Sequence, residues 1–162
     1  MEYTELGTTG LRVSRLGFGT MRLPMNSPAA IDRDLAIPML QRAFERGITF
    51  FDTAKGYCGG DSQRVVGEAL KAKRRDVVIS TKNPCYDPDK PGVWWENLNQ
   101  SLERLQTDYI DIYNHHGLNY TKYQHAIEGE SGLYLQMAKA KEQGLIRHIC
   151  FSFHGPEQDL IN

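Results

Sequence analysis

Residues 48–57 have the sequence Ile-Thr-Phe-Phe-Asp-Thr-Ala-Lys-Gly-Tyr, in which a short apolar run is followed at once by a carboxylate. The β-branched and aromatic residues of 48–51 predict a buried strand. Asp52 therefore stands at the carboxyl end of a strand, which is where α/β folds place their chemistry. Tyr57 follows in a glycine-rich loop, so that a carboxylate and a phenol can meet in one pocket.

Apolar runs of the same kind recur along the chain at intervals of 29–37 residues. They begin near residues 16, 48, 77, 109 and 146, and a stretch with helical periodicity lies between successive runs. Right-handed crossovers make the sheet of such a strand–helix repeat parallel. Two architectures fit: an open five-stranded doubly wound sheet, which periodicity alone slightly favours, and a (β/α)8 barrel truncated after about five units. No internal boundary is evident, so residues 1–162 are predicted to form a single domain.

Several shorter features complete the prediction of secondary structure. Residues 4–6 and 11–13 are predicted to pair as a small hairpin. Residues 21–32 contain two prolines and are predicted to be irregular, and residues 117–131 are predicted to form a long loop. Asp34 is the expected N-cap of the first helix.

The composition is that of a soluble globular protein, with 40% hydrophobic and 24% charged residues. A net charge of −1 gives no electrostatic case for binding nucleic acid or an anionic membrane. No apolar run is long enough to span a bilayer, and the first residues lack the features of a signal peptide. The three cysteines, Cys58, Cys85 and Cys150, fit reduced thiols in the cytoplasm. Their spacing fits no closed tetrahedral metal site, and we expect none.

Side chains capable of chemistry follow four of the predicted strands: Asp52, Lys82, His116 and Ser152. Because the carboxyl ends of parallel strands meet at one edge of a sheet, these side chains and Tyr57 should converge. Each of them has an ordinary structural explanation when it is taken alone, such as a turn former, a solvated charge or a buried histidine. Their coincidence at the same edge favours a functional site.

A phenol, an ammonium group, a carboxylate and an imidazole together suit one kind of reaction. A phenol donates its proton poorly near neutral pH, and a neighbouring ammonium group favours the ionised phenol. The carboxylate keeps the ammonium group charged and in place, and the imidazole can orient a carbonyl oxygen or relay a proton. The natural reaction is protonation of a carbonyl oxygen while a hydride reaches the carbon, with a nicotinamide as the hydride donor.

Four motifs follow one another along the chain: Gly17-Phe18-Gly19-Thr20-Met21, Asp52-Thr53-Ala54 with Tyr57, Ser80-Thr81-Lys82, and Thr-Asp-Tyr-Ile-Asp-Ile-Tyr at 107–113 followed by histidine. Their order and spacing resemble the aldo-keto reductase family over nearly the whole chain. His116-Gly117-Leu118-Asn119 and residues 146–154 are similar to the iron–sulfur type of aldo-keto reductase.

The resemblance implies a (β/α)8 barrel, of which residues 1–162 would be the N-terminal five-eighths, and NADPH-dependent reduction of aldehydes or ketones. The family's four catalytic residues correspond to Asp52, Tyr57, Lys82 and His116. His116 is chosen over His115 because the family's histidine lies eight residues after the aspartate of the Thr-Asp-Tyr motif, which leaves His115 in the place of an apolar residue.

The resemblance also implies residues for the cofactor. Gly19, Thr20 and Met21, with Asp52, match positions near the nicotinamide ribose, and Ser152 matches a serine that contacts the nicotinamide amide. The loops that hold the cofactor's adenosine phosphate would lie beyond residue 162. The cysteines that bind an iron–sulfur cluster would lie there as well, so a cluster is expected only in a longer form and no metal site is assigned here.

A barrel cut after five strands exposes strand edges and apolar faces. We therefore expect either self-association or a C-terminal fragment that completes the barrel. The expected partner of the site is a small carbonyl substrate. The alternative function is a non-catalytic binding or regulatory subunit that keeps the pocket. A small open-sheet protein of unknown ligand is a third hypothesis, which requires the resemblance to be misleading.

Overall fold

The structure is a computed structural model that describes residues 1–127 and 132–161. Its elements, in chain order, are β1 (Tyr3–Glu5), β2 (Arg12–Ser14), β3 (Phe18–Gly19), β4 (Met25–Ser27), β5 (Ala30–Ile31), α1 (Arg33–Glu45), β6 (Phe50–Asp52), α2 (Ser62–Leu70), β7 (Val78–Asn83), α3 (Pro91–Leu105), β8 (Ile110–Leu118), α4 (Tyr120–Lys122), α5 (Leu133–Glu142), β9 (Ile146–Phe153) and α6 (Gln158–Ile161). Two 3-10 segments, Tyr57–Gly60 and Lys71–Asp76, and a π-helical turn, Tyr123–Ile127, lie between them. No helix in the described ranges is long and apolar enough to cross a membrane.

Five strands form one parallel sheet in the order β3-β6-β7-β8-β9. The order follows the chain, and successive large helices pack on one another, α1 on α2, α2 on α3 and α3 on α5. A doubly wound sheet reverses its strand order at one point, so the open-sheet alternative is wrong. The sequential order is that of a (β/α)8 barrel, of which five strands are present.

The two faces of the sheet have different roles. Phe51, Ile79 and Tyr113 face the helices and belong to the main hydrophobic core. Because successive residues of a strand point to opposite faces, Val78 and Ile112 point to the inner face, where they pack against Val13 of the hairpin β1–β2. The hairpin thus covers the apolar part of the inner face, and the polar inner residues lie closer to the carboxyl ends of the strands.

Most predicted elements are present, with shifts at their ends. The hairpin at the N-terminus is confirmed, with Thr4 opposite Val13. The first helix is capped by Asp32, whose carboxylate accepts a hydrogen bond from the Leu35 amide at 3.2 Å. Asp34 is therefore not the cap and lies in the first turn of the helix.

Three segments are more ordered than the sequence predicted. Residues 21–32 contain the antiparallel pair β4–β5. The fourth strand of the repeat, β8, is expected to end near His115 and His116, but it continues to Leu118 because β9 pairs with it as far as Phe153. The expected loop 117–131 contains α4 and the π-helical turn, and its residues 128–131 lie outside the described part of the chain.

Candidate active site

Asp52 and Lys82 form an ion pair at the carboxyl ends of β6 and β7. The Nζ atom of Lys82 lies 2.7 and 2.6 Å from the two carboxylate oxygens of Asp52 and 2.8 Å from the carbonyl oxygen of Thr53. Lys82 is buried, whereas the side chain of Asp52 is 33% exposed. With acceptors on two residues, the ammonium group is held in one position.

Tyr57 reaches this ion pair from the loop that follows β6. The loop turns through Gly59, whose φ is +65°, and a Cβ atom on Gly59 would lie 2.6 Å from the Cα of Ala29. The β4–β5 turn therefore packs directly on the loop backbone, which requires glycine there. The Tyr57 ring centre lies 4.8 Å from Nζ of Lys82 and 6.0 Å from the ring centre of His116, with the two rings at 80°. Phenol, ammonium group and imidazole thus share one site.

The two adjacent histidines of β8 lie on opposite faces of the strand. His116 is half-buried beside Tyr57. Burial and the positive charge of Lys82 lower the pKa of His116 below its ordinary value, so the ring is neutral at pH 7 and keeps one N–H donor. His115 is buried on the helix side, and neither of its ring nitrogens has a hydrogen-bond partner among the described residues. Burial lowers the pKa of His115 to about 4.

We expect His115→Leu to raise the free energy of unfolding. A buried polar group without a partner costs about 1–3 kcal/mol, and leucine removes that cost. The gain should grow as the pH falls. The pKa of His115 is about 4 in the folded state and about 6.5 in the unfolded state. The unfolded state therefore binds the extra proton in this interval, and the wild type loses stability as the pH falls from about 6.5 to about 4.

Urea unfolding at pH 7 and pH 5 measures this effect. The matched control is His125→Leu, because the His125 side chain is exposed and its removal should change the unfolding free energy by less than about 0.5 kcal/mol. A His115→Leu variant that is less stable than the wild type at both pH values would contradict the prediction.

Two buried residues that were not among the predicted site residues, Ser80 and Asn114, support Asp52. The Ser80 hydroxyl donates a hydrogen bond to Oδ1 of Asp52 at 3.0 Å, and the side-chain amide of Asn114 donates to the Ser80 hydroxyl at 3.0 Å. Both residues stand two positions before a predicted site residue, Ser80 before Lys82 and Asn114 before His116. The alternation of strand residues therefore offered a signal for both.

The expected cofactor residues lie at the same edge of the sheet. Gly19 is paired with Asp52 across the β3–β6 ladder, and the space that a side chain on Gly19 would occupy is open. Met21 is half exposed. The Thr20 hydroxyl, in contrast, is buried and lies 3.0 Å from the Asp52 carbonyl oxygen and 2.7 Å from the Ser62 hydroxyl. The side chain of Thr20 therefore supports the loop rather than facing the open space.

Ser152 lies on β9, the neighbour of the strand that carries His116. Its hydroxyl accepts a hydrogen bond from the Gly117 amide at 2.8 Å and lies 3.5 Å from the His115 carbonyl oxygen. The second contact is long for a hydroxyl donor, so the proton of the Ser152 hydroxyl can be given to another acceptor.

The three cysteines are free thiols that differ in exposure. Cys85 is buried, Cys58 is partly buried and Cys150 is exposed. The Cys58 sulfur lies 3.4 Å from the Met21 carbonyl oxygen, beside the open space at Gly19. Within residues 1–127 and 132–161, no three His, Cys, Asp or Glu side chains are grouped as metal ligands.

A groove of about 650 Å³ lies away from these residues, against the side of β8 that carries His115, and we call it the outer groove. It is lined by His115, Leu118, Asn119, Tyr120, Tyr123, Ile127, Tyr134, Met137, Ile149, Cys150, Phe151, Phe153 and Leu160. Phe151 and Leu160 are about half exposed. Apolar surface is thus uncovered beside β9, the last strand of the sheet.

The known proteins that resemble this chain in sequence and in structure belong to one family. Residues 15–159 match the family model described as the aldo/keto reductase family. An aldo-keto reductase of Bacillus subtilis (strain 168) is 37% identical over 125 residues, which cover 72% of this chain and 38% of that relative. The holo form of an aldo-keto reductase from Bacillus halodurans has a TM-score of 0.81 at 32% identity and covers 96% of this chain and 51% of that one.

A third match is a crystal structure of an aldo/keto reductase from Klebsiella pneumoniae in complex with NADP and acetate. It has a TM-score of 0.69 at 25% identity and covers 93% of this chain and 49% of that chain. The chain therefore spans about half the length of these two solved structures and less than half of the curated relative.

Proposed function

The chain belongs to the aldo/keto reductase family of oxidoreductases, and from that premise we propose that it reduces aldehydes or ketones to alcohols with NADPH as the hydride donor. The observation that carries the proposal is the meeting of Asp52, Tyr57, Lys82 and His116, which come from three strands and one loop. A proton donor, a charge that stabilises its conjugate base and a neutral hydrogen-bond donor are the groups that carbonyl reduction needs.

In this proposal Tyr57 gives its proton to the carbonyl oxygen. The ammonium group of Lys82, 4.8 Å from the Tyr57 ring centre, stabilises the phenolate that remains. Asp52 keeps Lys82 in place through two contacts at 2.6–2.7 Å, and Ser80 holds the carboxylate in turn. The neutral imidazole of His116 donates a hydrogen bond to the same carbonyl oxygen and orients the substrate.

The nicotinamide end of the cofactor fits the residues at this edge. Gly19 leaves open space in front of the backbone, Met21 is exposed, and the Ser152 hydroxyl has a proton to donate. We assign these residues, the backbone of Thr20, and Asp52 to that end. When bound, the nicotinamide supplies the hydride. The Klebsiella pneumoniae structure is a complex with NADP, which supports the choice of cofactor.

The proposal includes association with further polypeptide that covers the apolar surface beside β9. The edge of β9 and the outer groove carry exposed apolar residues, among them Phe151 and Leu160. Exposed strand edges and apolar patches favour pairing with another chain. The partner is either a second copy or a separate C-terminal fragment that completes the barrel. The proposed location is the cytoplasm, where the three free thiols would stay reduced.

Sedimentation velocity in the presence of NADPH tests cofactor binding and association together. We expect the protein to sediment as an associated species that carries the absorbance of NADPH at 340 nm. The matched control is Gly19→Val, which fills the open space in front of β3 without a positive φ and so without backbone strain. This variant should sediment as the same associated species but should carry no NADPH.

Two results would change the proposal. A monomer that carries no NADPH would contradict both the cofactor and the association. NADPH binding without turnover of any simple aldehyde would instead favour the alternative function, a non-catalytic binding or regulatory subunit.

A further inference from the structure

Lys122 lies beside the proposed carbonyl site, on the short helix that follows β8. Its Nζ atom donates a hydrogen bond to the carbonyl oxygen of Gly117 at 2.9 Å and lies 4.2 Å from the ring centre of Tyr86. Gly117 is the residue directly after His116. The ammonium group is therefore held at the strand end from which His116 projects.

The position of Lys122 is built by several contacts. The side chain of Asn119 accepts a hydrogen bond from the Lys122 amide at 2.9 Å and so caps α4. A Cβ atom on Gly117 would lie 3.6 Å from the Tyr86 hydroxyl and 3.8 Å from the His154 ring. Tyr86, His154 and Lys122 therefore surround Gly117, and together they form one wall beside His116.

The charge of this wall is not balanced within the described part of the chain. Lys82 is neutralised by Asp52, at 2.6 Å. Lys122, in contrast, makes no ion pair with any described carboxylate. Burial lowers the pKa of His116, and its neighbours Lys82, His154 and Lys122 lower it further, whereas Asp52 opposes them. The electrostatic potential around His116 therefore favours a negative group.

We propose that Lys122, Tyr86 and His154 bind an anionic group of the substrate, so that the preferred substrates are carbonyl compounds that also carry a carboxylate or phosphate. This inference rests on the proposed function, because it takes the carbonyl group itself to bind at Tyr57 and His116. The ammonium group of Lys122 donates one hydrogen to Gly117 and keeps two for an anion. Burial raises the pKa of Tyr86, which keeps its hydroxyl protonated as a further donor.

The test compares two aldehydes of nearly the same shape that differ in charge: 4-carboxybenzaldehyde, an anion at neutral pH, and 4-carbamoylbenzaldehyde, its neutral amide. Binding is followed by the NMR signals of the His116 ring, which requires no turnover. We expect the anion to bind more tightly because its hydrogen bond to Lys122 is charge-assisted. The difference should be only about tenfold, because solvent screens a partly exposed charge. The preference should decrease as the salt concentration rises.

Three variants identify the residue responsible. Lys122→Gln should remove the preference for the anion, and Lys122→Arg, which keeps the charge, should retain it. Lys139→Gln removes an exposed lysine of α5 and should leave the preference unchanged. The retained preference of Lys122→Arg separates the effect of charge from that of a disturbed α4.

Each of the other outcomes overturns one part of the proposal. Equal affinity of the wild type for the two aldehydes overturns the anionic subsite and leaves the proposed function standing. A preference that persists in Lys122→Gln overturns the role of Lys122. If neither aldehyde shifts the His116 signals, the carbonyl site fails and the proposed function fails with it.

Discussion

Tyr57→Phe should lower the rate of NADPH-dependent aldehyde reduction by about 10²–10⁴-fold, the range that a positioned general acid contributes. Phenylalanine removes the only proton that Tyr57 can give. The ring itself should keep its place over Lys82 and against His116, so the variant tests the hydroxyl and not the packing. The rate is measured as loss of absorbance at 340 nm, in whichever assembly of the chain binds NADPH.

Two controls make this result specific. Tyr3→Phe removes an exposed hydroxyl from the N-terminal hairpin and should leave the rate unchanged. NADPH binding by Tyr57→Phe should match that of the wild type, because the proposed cofactor residues are untouched. A Tyr57→Phe variant with a near-normal rate would show that the proton comes from another group.

The site residues that the sequence predicts are those that stand at the carboxyl end of a predicted strand. Asp52 and Lys82 each follow an apolar run, and the ends of parallel strands meet at one edge. Their ion pair at 2.6 Å agrees with that expectation. His115 and His116 are adjacent, and the alternation of β8 points them to opposite faces. The His116 ring therefore lies beside Tyr57, whereas the His115 ring is buried without a hydrogen-bond partner among the described residues.

The architecture could not be predicted from periodicity. Strand order depends on contacts between distant segments, and both a barrel and an open sheet give the same repeat of strand and helix. The extension of β8 beyond His116 to Leu118 has a similar origin. Its last residues include polar side chains and Gly117, which are poor strand formers. They continue the strand because β9 supplies backbone partners as far as Phe153.

Lys122, which sequence interpretation missed, lies where no periodic signal exists. Lys122 is in a helix of three residues, too short to show a pattern. Its position depends on Tyr86, which is distant in sequence, and on the Gly117 carbonyl. Asn114 was missed for another reason: an amide in the middle of a strand has no chemistry of its own, and its role appears only through the hydrogen bond to Ser80.

Asp111→Asn should lower the free energy of unfolding by about 3–5 kcal/mol, the usual cost of breaking a buried ion pair by removing one partner. The Asp111 side chain is 1% exposed. Its carboxylate accepts hydrogen bonds from Arg74 at 2.8 Å, from Arg147 at 3.0 Å and from the Ile79 amide at 3.0 Å. Asparagine keeps the shape but offers one acceptor oxygen and turns an NH2 group towards one of these donors.

Most of the expected loss comes from Arg74. Its side chain is 10% exposed, whereas that of Arg147 is 51% exposed and can be hydrated when the carboxylate is gone. Urea unfolding followed by circular dichroism measures the change. Asp108→Asn, at an exposed position three residues earlier, is the control and should change stability by less than about 0.5 kcal/mol. A loss below about 1 kcal/mol in Asp111→Asn would mean that Arg74 is not dependent on this carboxylate.

The comparison of Asp111→Asn with Tyr57→Phe separates stability from chemistry within one sheet. Asp111 lies near the amino end of β8, and His116 lies five residues further along the same strand. In barrels of this kind the amino ends of the strands serve stability and the carboxyl ends serve catalysis. Asp111→Asn should therefore reduce the folded fraction while each folded molecule keeps its rate. Tyr57→Phe should keep the unfolding midpoint and lose the rate, and a loss of midpoint in that variant would place Tyr57 among the residues that stabilise the fold.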